Sequence, residues 1–214
     1  GALLITFIYQ SYLPSSDKKN SNNQTTIIKN ELPKTAGEFY QKGVSLGNDG
    51  DYENAIENFR QAILLNQNYF DALLSSAYYK IRVEDFQGTI DDCNKAIALN
   101  KNNADVYNHR GYAKYRLKQL DEAMNDFNNA IKINPQYANA YRNRGEIKYD
   151  RNDYKGTLKD YGLAIQYDPQ NPSYHFVRGL AYYYLKDYSN ALNDMDRAIK
   201  LNPNIPQYYY DRGD

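Results

Sequence analysis

LDEAMNDFNNAIKINP, residues 120–135, decides the fold. Alanine, phenylalanine, alanine and isoleucine stand at 123, 127, 130 and 131, a spacing of three and four that lays one apolar stripe along a helix. Asn134-Pro135 ends that helix, because proline disfavours helical backbone in the residue before it. The pattern returns on both sides, as Ala55, Phe59, Ala62, Ile63 and as Ala191, Met195, Ala198, Ile199. The Ala-Ile pair occurs five times at a step of 34 residues: 62–63, 96–97, 130–131, 164–165 and 198–199. A fixed period of that length marks a stacked helical repeat, in which each unit buries its apolar face on its neighbours.

Counted from Ala36, the units are 36–69, 70–103, 104–137, 138–171 and 172–205, and 206–214 opens a sixth. Each has room for two helices and a turn. The first carries a small residue at Gly43, Ala77, Gly111, Gly145, Gly179 and Gly213, where close approach of a second helix outweighs the cost of about 1 kcal/mol for glycine in a helix. Four places earlier stand Phe39, Leu73, Tyr107, Tyr141, His175 and Tyr209, read as core. Asp51, Asp85, Asp153 and Asp187, with Gln119 the exception, precede the column Tyr52, Phe86, Leu120, Tyr154, Tyr188. A carboxylate there caps the second helix by accepting from its open N–H groups.

These columns resemble the tetratricopeptide repeat family over all of 36–205 and part of 206–214: an aromatic, a small residue four places on, then alanine, aromatic, alanine and proline. The departures are Thr89 and Thr157 for alanine, Cys93 for an aromatic, and Gln67 and Lys101 for proline. The resemblance implies an all-α fold, a right-handed superhelical solenoid of antiparallel helix pairs with a concave face, made of five full repeats and a partial sixth.

The 214 residues hold 26 basic and 26 acidic side chains, a balance without the positive footprint of a nucleic-acid or anionic-membrane partner. Tryptophan is absent and tyrosine occurs 24 times, so many phenols must reach surface, groove or a buried partner. The single cysteine, Cys93, falls on a core column and reads as inert packing. His109 and His175 lack metal-ligand spacing, no phosphate-binding glycine loop is present, and the reading is a non-catalytic chain without cofactor or metal. Asp92, Asp126, Asp160 and Asp194 form another column, and Arg110, Arg144 and Arg178 precede the last three by sixteen residues. Intra-repeat ion pairs Arg110–Asp126, Arg144–Asp160 and Arg178–Asp194 are therefore expected.

Ahead of the repeats lie an apolar segment, residues 1–14, and a polar linker, residues 15–35. Residues 1–13 carry no charge but fall short of the roughly 20 apolar residues that span a bilayer. Two readings stand: the outer part of a membrane anchor or signal, or a tail that packs on protein, such as the groove or C-terminal end of another copy. The assembly surface would then comprise Leu3, Leu4, Ile5, Phe7, Ile8 and Tyr9 with Tyr208, Tyr209 and Tyr210, and head-to-tail contacts of that kind build oligomers or filaments. Asn23-Gln24-Thr25 is an N-glycosylation triplet, which goes with an extracytoplasmic, membrane-tethered or cell-surface address.

For the repeats, positions 2, 5, 9 and 12 of each first helix share a face, taken with the family resemblance as the concave lining. It contributes Tyr40 and Val44; Leu74, Tyr78 and Ile81; Asn108, Tyr112 and Tyr115; Arg142, Glu146 and Tyr149; Phe176, Leu180 and Tyr183. Tyrosine supplies contact area at low entropic cost, and Asn, Arg and Glu offer fixed polar points, so the strip suits a peptide or protein segment. Some of the tyrosines can equally fill the interior. The Lys and Asn clamp that some family members use for a terminal carboxylate fails, since Tyr40 and Val44 occupy its positions in the first repeat and Ser75 does not restore it.

Overall fold

The computed structural model describes Pro33 and residues 35–213. Among these residues it is all-α, with eleven helices that follow the repeat frame. First helices are α1 (Ala36–Asn48), α3 (Phe70–Arg82), α5 (Ala104–Arg116), α7 (Ala138–Asp150), α9 (Pro172–Tyr184) and the short α11 (Pro206–Arg212). Second helices are α2 (Tyr52–Leu65), α4 (Phe86–Leu99), α6 (Leu120–Ile133), α8 (Tyr154–Tyr167) and α10 (Tyr188–Leu201).

The helices fall into two compact units, one reaching to Lys101 and one starting at Asn102. In the first, α1 packs on α2, α2 on α3 and α3 on α4. In the second, the same succession runs from α5 to α11, and α5 also touches α7. Each first helix meets its mate through the small column: a methyl group on Gly111 would lie 2.7 Å from the Phe127 ring, and one on Gly145 2.9 Å from the Tyr161 ring. Ala123, Phe127 and Ile147 form one fully buried cluster, with Tyr115, Leu120 and Met124 against it.

One three-residue turn repeats within every pair. The residues at its centre, Gly50, Glu84, Lys118, Asn152 and Lys186, all have positive φ, of 86°, 60°, 64°, 59° and 63°. In the third repeat the Lys118 N–H donates to Tyr115 O at 2.9 Å and the Gln119 N–H to Lys114 O at 2.9 Å, the two bonds of a left-handed helix cap. The residue closing that cap opens the next helix. Asp51, Asp85, Asp153 and Asp187 accept from the backbone N–H three residues on, at 3.4, 2.9, 2.9 and 3.3 Å, as the sequence predicts. Gln119 makes no such bond.

The expected ion pairs form. Arg110 reaches Asp126 at 2.9 and 2.6 Å, Arg144 reaches Asp160 at 2.9 and 2.6 Å, and Arg178 reaches Asp194 at 2.7 and 2.8 Å. A lysine four residues after the arginine joins in two cases, Lys114 to Asp126 and Lys148 to Asp160, both at 2.8 Å. In the second repeat Ser76 and Lys80 both bind Asp92 at 2.7 Å. His175 is buried as expected but does more than fill space: Nδ1 lies 3.4 Å from Asp194 Oδ1 and Nε2 3.3 Å from the Pro169 carbonyl. Cys93 is buried.

Candidate functional site

The proposed lining divides between the two units. In the first, Tyr40 is half-buried between Phe59 and Tyr69, with ring centres 5.8 and 5.2 Å away. Tyr78 is more exposed and accepts from Arg82 at 2.6 Å.

The second unit gathers most of the polar members. Asn108, Tyr112 and Glu146 are buried, and Tyr115, Arg142 and Tyr149 are half-buried. A seam of side-chain bonds crosses from α5 to α7. Asn143 donates to Asn108 Oδ1 at 2.8 Å, and the Tyr115 hydroxyl donates to Asp150 Oδ2 at 2.8 Å, with Glu146 Oε1 at 3.5 Å. Arg142 donates to Glu146 Oε2 at 3.0 Å. Burial holds the Glu146 carboxyl above its usual range; Arg142 opposes this and the Asp150 charge adds to it. The Tyr115 hydroxyl is pushed well up by burial and by those two carboxylates, so it stays a donor. Asn143 Oδ1 is buried without a hydrogen-bond partner among the described residues.

Phe176 and Tyr208 do not reach a surface. Their rings pack with centres 4.7 Å apart and neither has exposed area, because α11 covers the Phe176 position of α9. Tyr183 is 53% exposed, Tyr210 is 77% exposed and Tyr209 is half-buried. Leu3, Leu4, Ile5, Phe7, Ile8, Tyr9 and Asn23 lie outside the described residues.

Next to the seam is a pocket of about 310 Å³ lined by Lys118, Leu120, Tyr149, Asp150, Asn152, Tyr154 and Tyr184. Tyr154 and Tyr184 stack at 4.7 Å with 6° between planes, and Tyr149 meets both edge-on, at 5.7 and 6.0 Å. Sequence reasoning places only Tyr149 of these seven in the binding face, with Leu120 and Tyr154 read as a repeat column. Tyr184 is adjacent to lining position 12 and Tyr154 opens a second helix, so their contact depends on how one repeat stacks on the next. Among the described residues no cluster of His, Cys, Asp and Glu could hold a metal ion, and no helix is long and apolar enough to cross a membrane.

Profiles described as tetratricopeptide repeat, or TPR repeat, match residues 39–69, 111–150, 145–186 and 172–205, together more than half the chain. The chain belongs to the tetratricopeptide repeat family. An uncharacterized protein of Methanocaldococcus jannaschii is 50% identical over 44 residues, which is 21% of this chain and 51% of that protein. The chain thus spans about half the length of the curated relative it matches. Among solved structures, MamA superposes with a TM-score of 0.67 at 20% identity, over 81% of this chain and 94% of that one. YrrB, described as a TPR protein with an unusual peptide-binding site, gives 0.64 at 19% identity over 83% and 91%. The first TPR of Spaghetti bound to an HSP90 peptide gives 0.53 at 25% identity over 54% and 92%. The tetratricopeptide repeat architecture is that of a protein-interaction scaffold.

Proposed function

We propose that this tetratricopeptide repeat chain is a non-catalytic scaffold whose first-helix face in the second unit holds an extended segment of a partner protein. The observation that carries this reading is the α5–α7 seam, where Asn108 is tied to Asn143, and Tyr115, Arg142, Glu146 and Asp150 to one another, beside tyrosine rings. Side chains fixed in this way lose little freedom on binding, and a seam of donors and acceptors suits an extended backbone. The peptide-bound Spaghetti repeat and the peptide-binding site ascribed to YrrB agree with it. Peptides selected from a random library on the immobilised full chain should lose about tenfold in affinity or more when Arg142 and Tyr183 are both changed to Ala. Unaltered affinity in that variant, with its melting midpoint unchanged, would move the binding face elsewhere.

A second reading is self-assembly, favoured by exposed Tyr188, Leu192 and Tyr210 on α10 and α11. Residues 1–13 of a neighbouring copy have the apolar character to cover them. Sedimentation of the full chain should then show association that Leu192→Ser with Tyr210→Ser weakens, and a monomer at every concentration removes this reading. The same segment supports the proposal of an extracytoplasmic tether, for which the native protein should need detergent for release from membranes; extraction by salt alone would oppose it.

A further inference from the structure

We propose that the tyrosine pocket at the turn edge of the second unit is a subsite for an arginine side chain of the bound segment. The inference builds on the peptide-binding reading above and names a chemistry for one point of contact. Three rings, Tyr149, Tyr154 and Tyr184, and the Leu120 side chain give the pocket its apolar walls. Tyrosine faces attract cations through their quadrupole, and a planar guanidinium also stacks on them. The carboxylate sits in the same wall. Asp150 uses Oδ2 to accept from Tyr115, and its Oδ1 accepts from no described donor. Asp211 of α11 adds a second negative charge within electrostatic range of Tyr149.

Lys118 shows that a cation is already drawn to this place. Its ammonium lies over the Tyr115 ring, 5.8 Å from the centre, on the phenol whose hydroxyl binds Asp150. It is an exposed side chain on a left-handed turn residue, anchored by no ion pair among the described residues, so it acts as a replaceable internal cation. An incoming guanidinium displaces it, stacks on the half-exposed Tyr184 ring and donates to Asp150 Oδ1. A partner carboxylate would instead face Asp150, and a neutral apolar side chain would leave that oxygen without a donor.

The test uses the full chain, isotope-labelled, titrated with acetyl-arginine amide and with its neutral isostere acetyl-citrulline amide while backbone amide resonances are followed. Arginine should bind about fivefold tighter than citrulline, with shifts confined to residues 118–120, 149–154 and 184. Asp150→Asn should erase the preference, and Tyr184→Leu, at a residue already 52% exposed, should weaken both probes without unfolding the chain. Lys118→Gly should tighten arginine binding several-fold by removing the competing ammonium. Equal binding of the two probes, shifts elsewhere, or an Asp150→Asn variant that keeps the preference would overturn the proposal. Because the probe is a single residue, its failure leaves the peptide-binding reading standing, and a peptide that binds without an arginine at this position counts against the subsite alone.

Discussion

Asp160 shows what a single residue contributes to this fold. Its side chain has no exposed area and accepts from Arg144 twice and from Lys148 once. Removing the carboxylate would strand two cations that are about four-fifths covered, so Asp160→Ala should cost about 3 kcal/mol, read as a lower denaturation midpoint. The equivalent Asp194 gives a pH signature. Burial raises its carboxyl, but the bonds from Arg178 and His175 win and hold it below its usual value. A depressed folded value means the contribution is complete above the unfolded carboxylate value of about 3.9 and disappears as pH falls through the folded one. Asp194→Asn should therefore lower stability at neutral pH and flatten its decline below about pH 4, measured by chemical denaturation across that range. These pairs were legible because Arg and Asp columns share one step. The Ser76–Lys80–Asp92 variant was not, since serine at the arginine position gives no hint that a lysine one turn on takes over.

At the scale of elements, the five turns are one motif written with different residues. The 34-residue frame marks the four capping aspartates, and all four cap as read. It hides the left-handed residue before them, because Gly50, Glu84, Lys118, Asn152 and Lys186 share no side-chain chemistry, only a backbone conformation. That conformation strains a residue with a Cβ by roughly 1–2 kcal/mol. Lys186→Gly should therefore raise the thermal midpoint, the stabilisation being about 1 kcal/mol at most after the entropy of glycine in the unfolded chain is subtracted. Gly50→Ala, where nothing lies within 4 Å of the added methyl, should lower it through backbone strain alone. Gln119 offers the complementary test: it opens α6 without a side-chain bond, and Gln119→Asp should stabilise the chain by about 1 kcal/mol. The candidate site was legible to the same limited depth. The face of each first helix follows from a spacing of three and four, so Tyr115, Arg142 and Glu146 could be named. The ring stack of Tyr154 on Tyr184 joins two repeats, and periodicity within one repeat carries no information about it.

For the molecule as a whole, stability in a repeat array is a sum over units and the interfaces between consecutive units. The two compact units differ in both terms. The first holds two helix pairs, and its buried polar column runs from Asn58, which donates only to Asn54 O within its own helix, to Asp92 with Lys80. The second holds three pairs and α11, with all three bidentate Arg–Asp pairs. Rungs of side-chain bonds also tie its consecutive repeats: Asn143 to Asn108 at 2.8 Å, Tyr115 to Asp150 at 2.8 Å and Tyr174 to Asn139 at 2.9 Å. A central repeat such as 138–171 has a neighbour on each side within its own unit, and opening it breaks two interfaces, whereas opening 36–69 within its unit breaks one. Native-state hydrogen exchange should therefore find the slowest amides in α7 and α8 and much faster ones in α1 and α2, with α11 also fast because it is only seven residues long. Cutting the rungs with Asn143→Ala and Tyr174→Phe should bring α7 and α8 closer to the rest. Uniform exchange across all repeats would mean that the array unfolds as one cooperative block and that the rungs add nothing to the apolar interfaces.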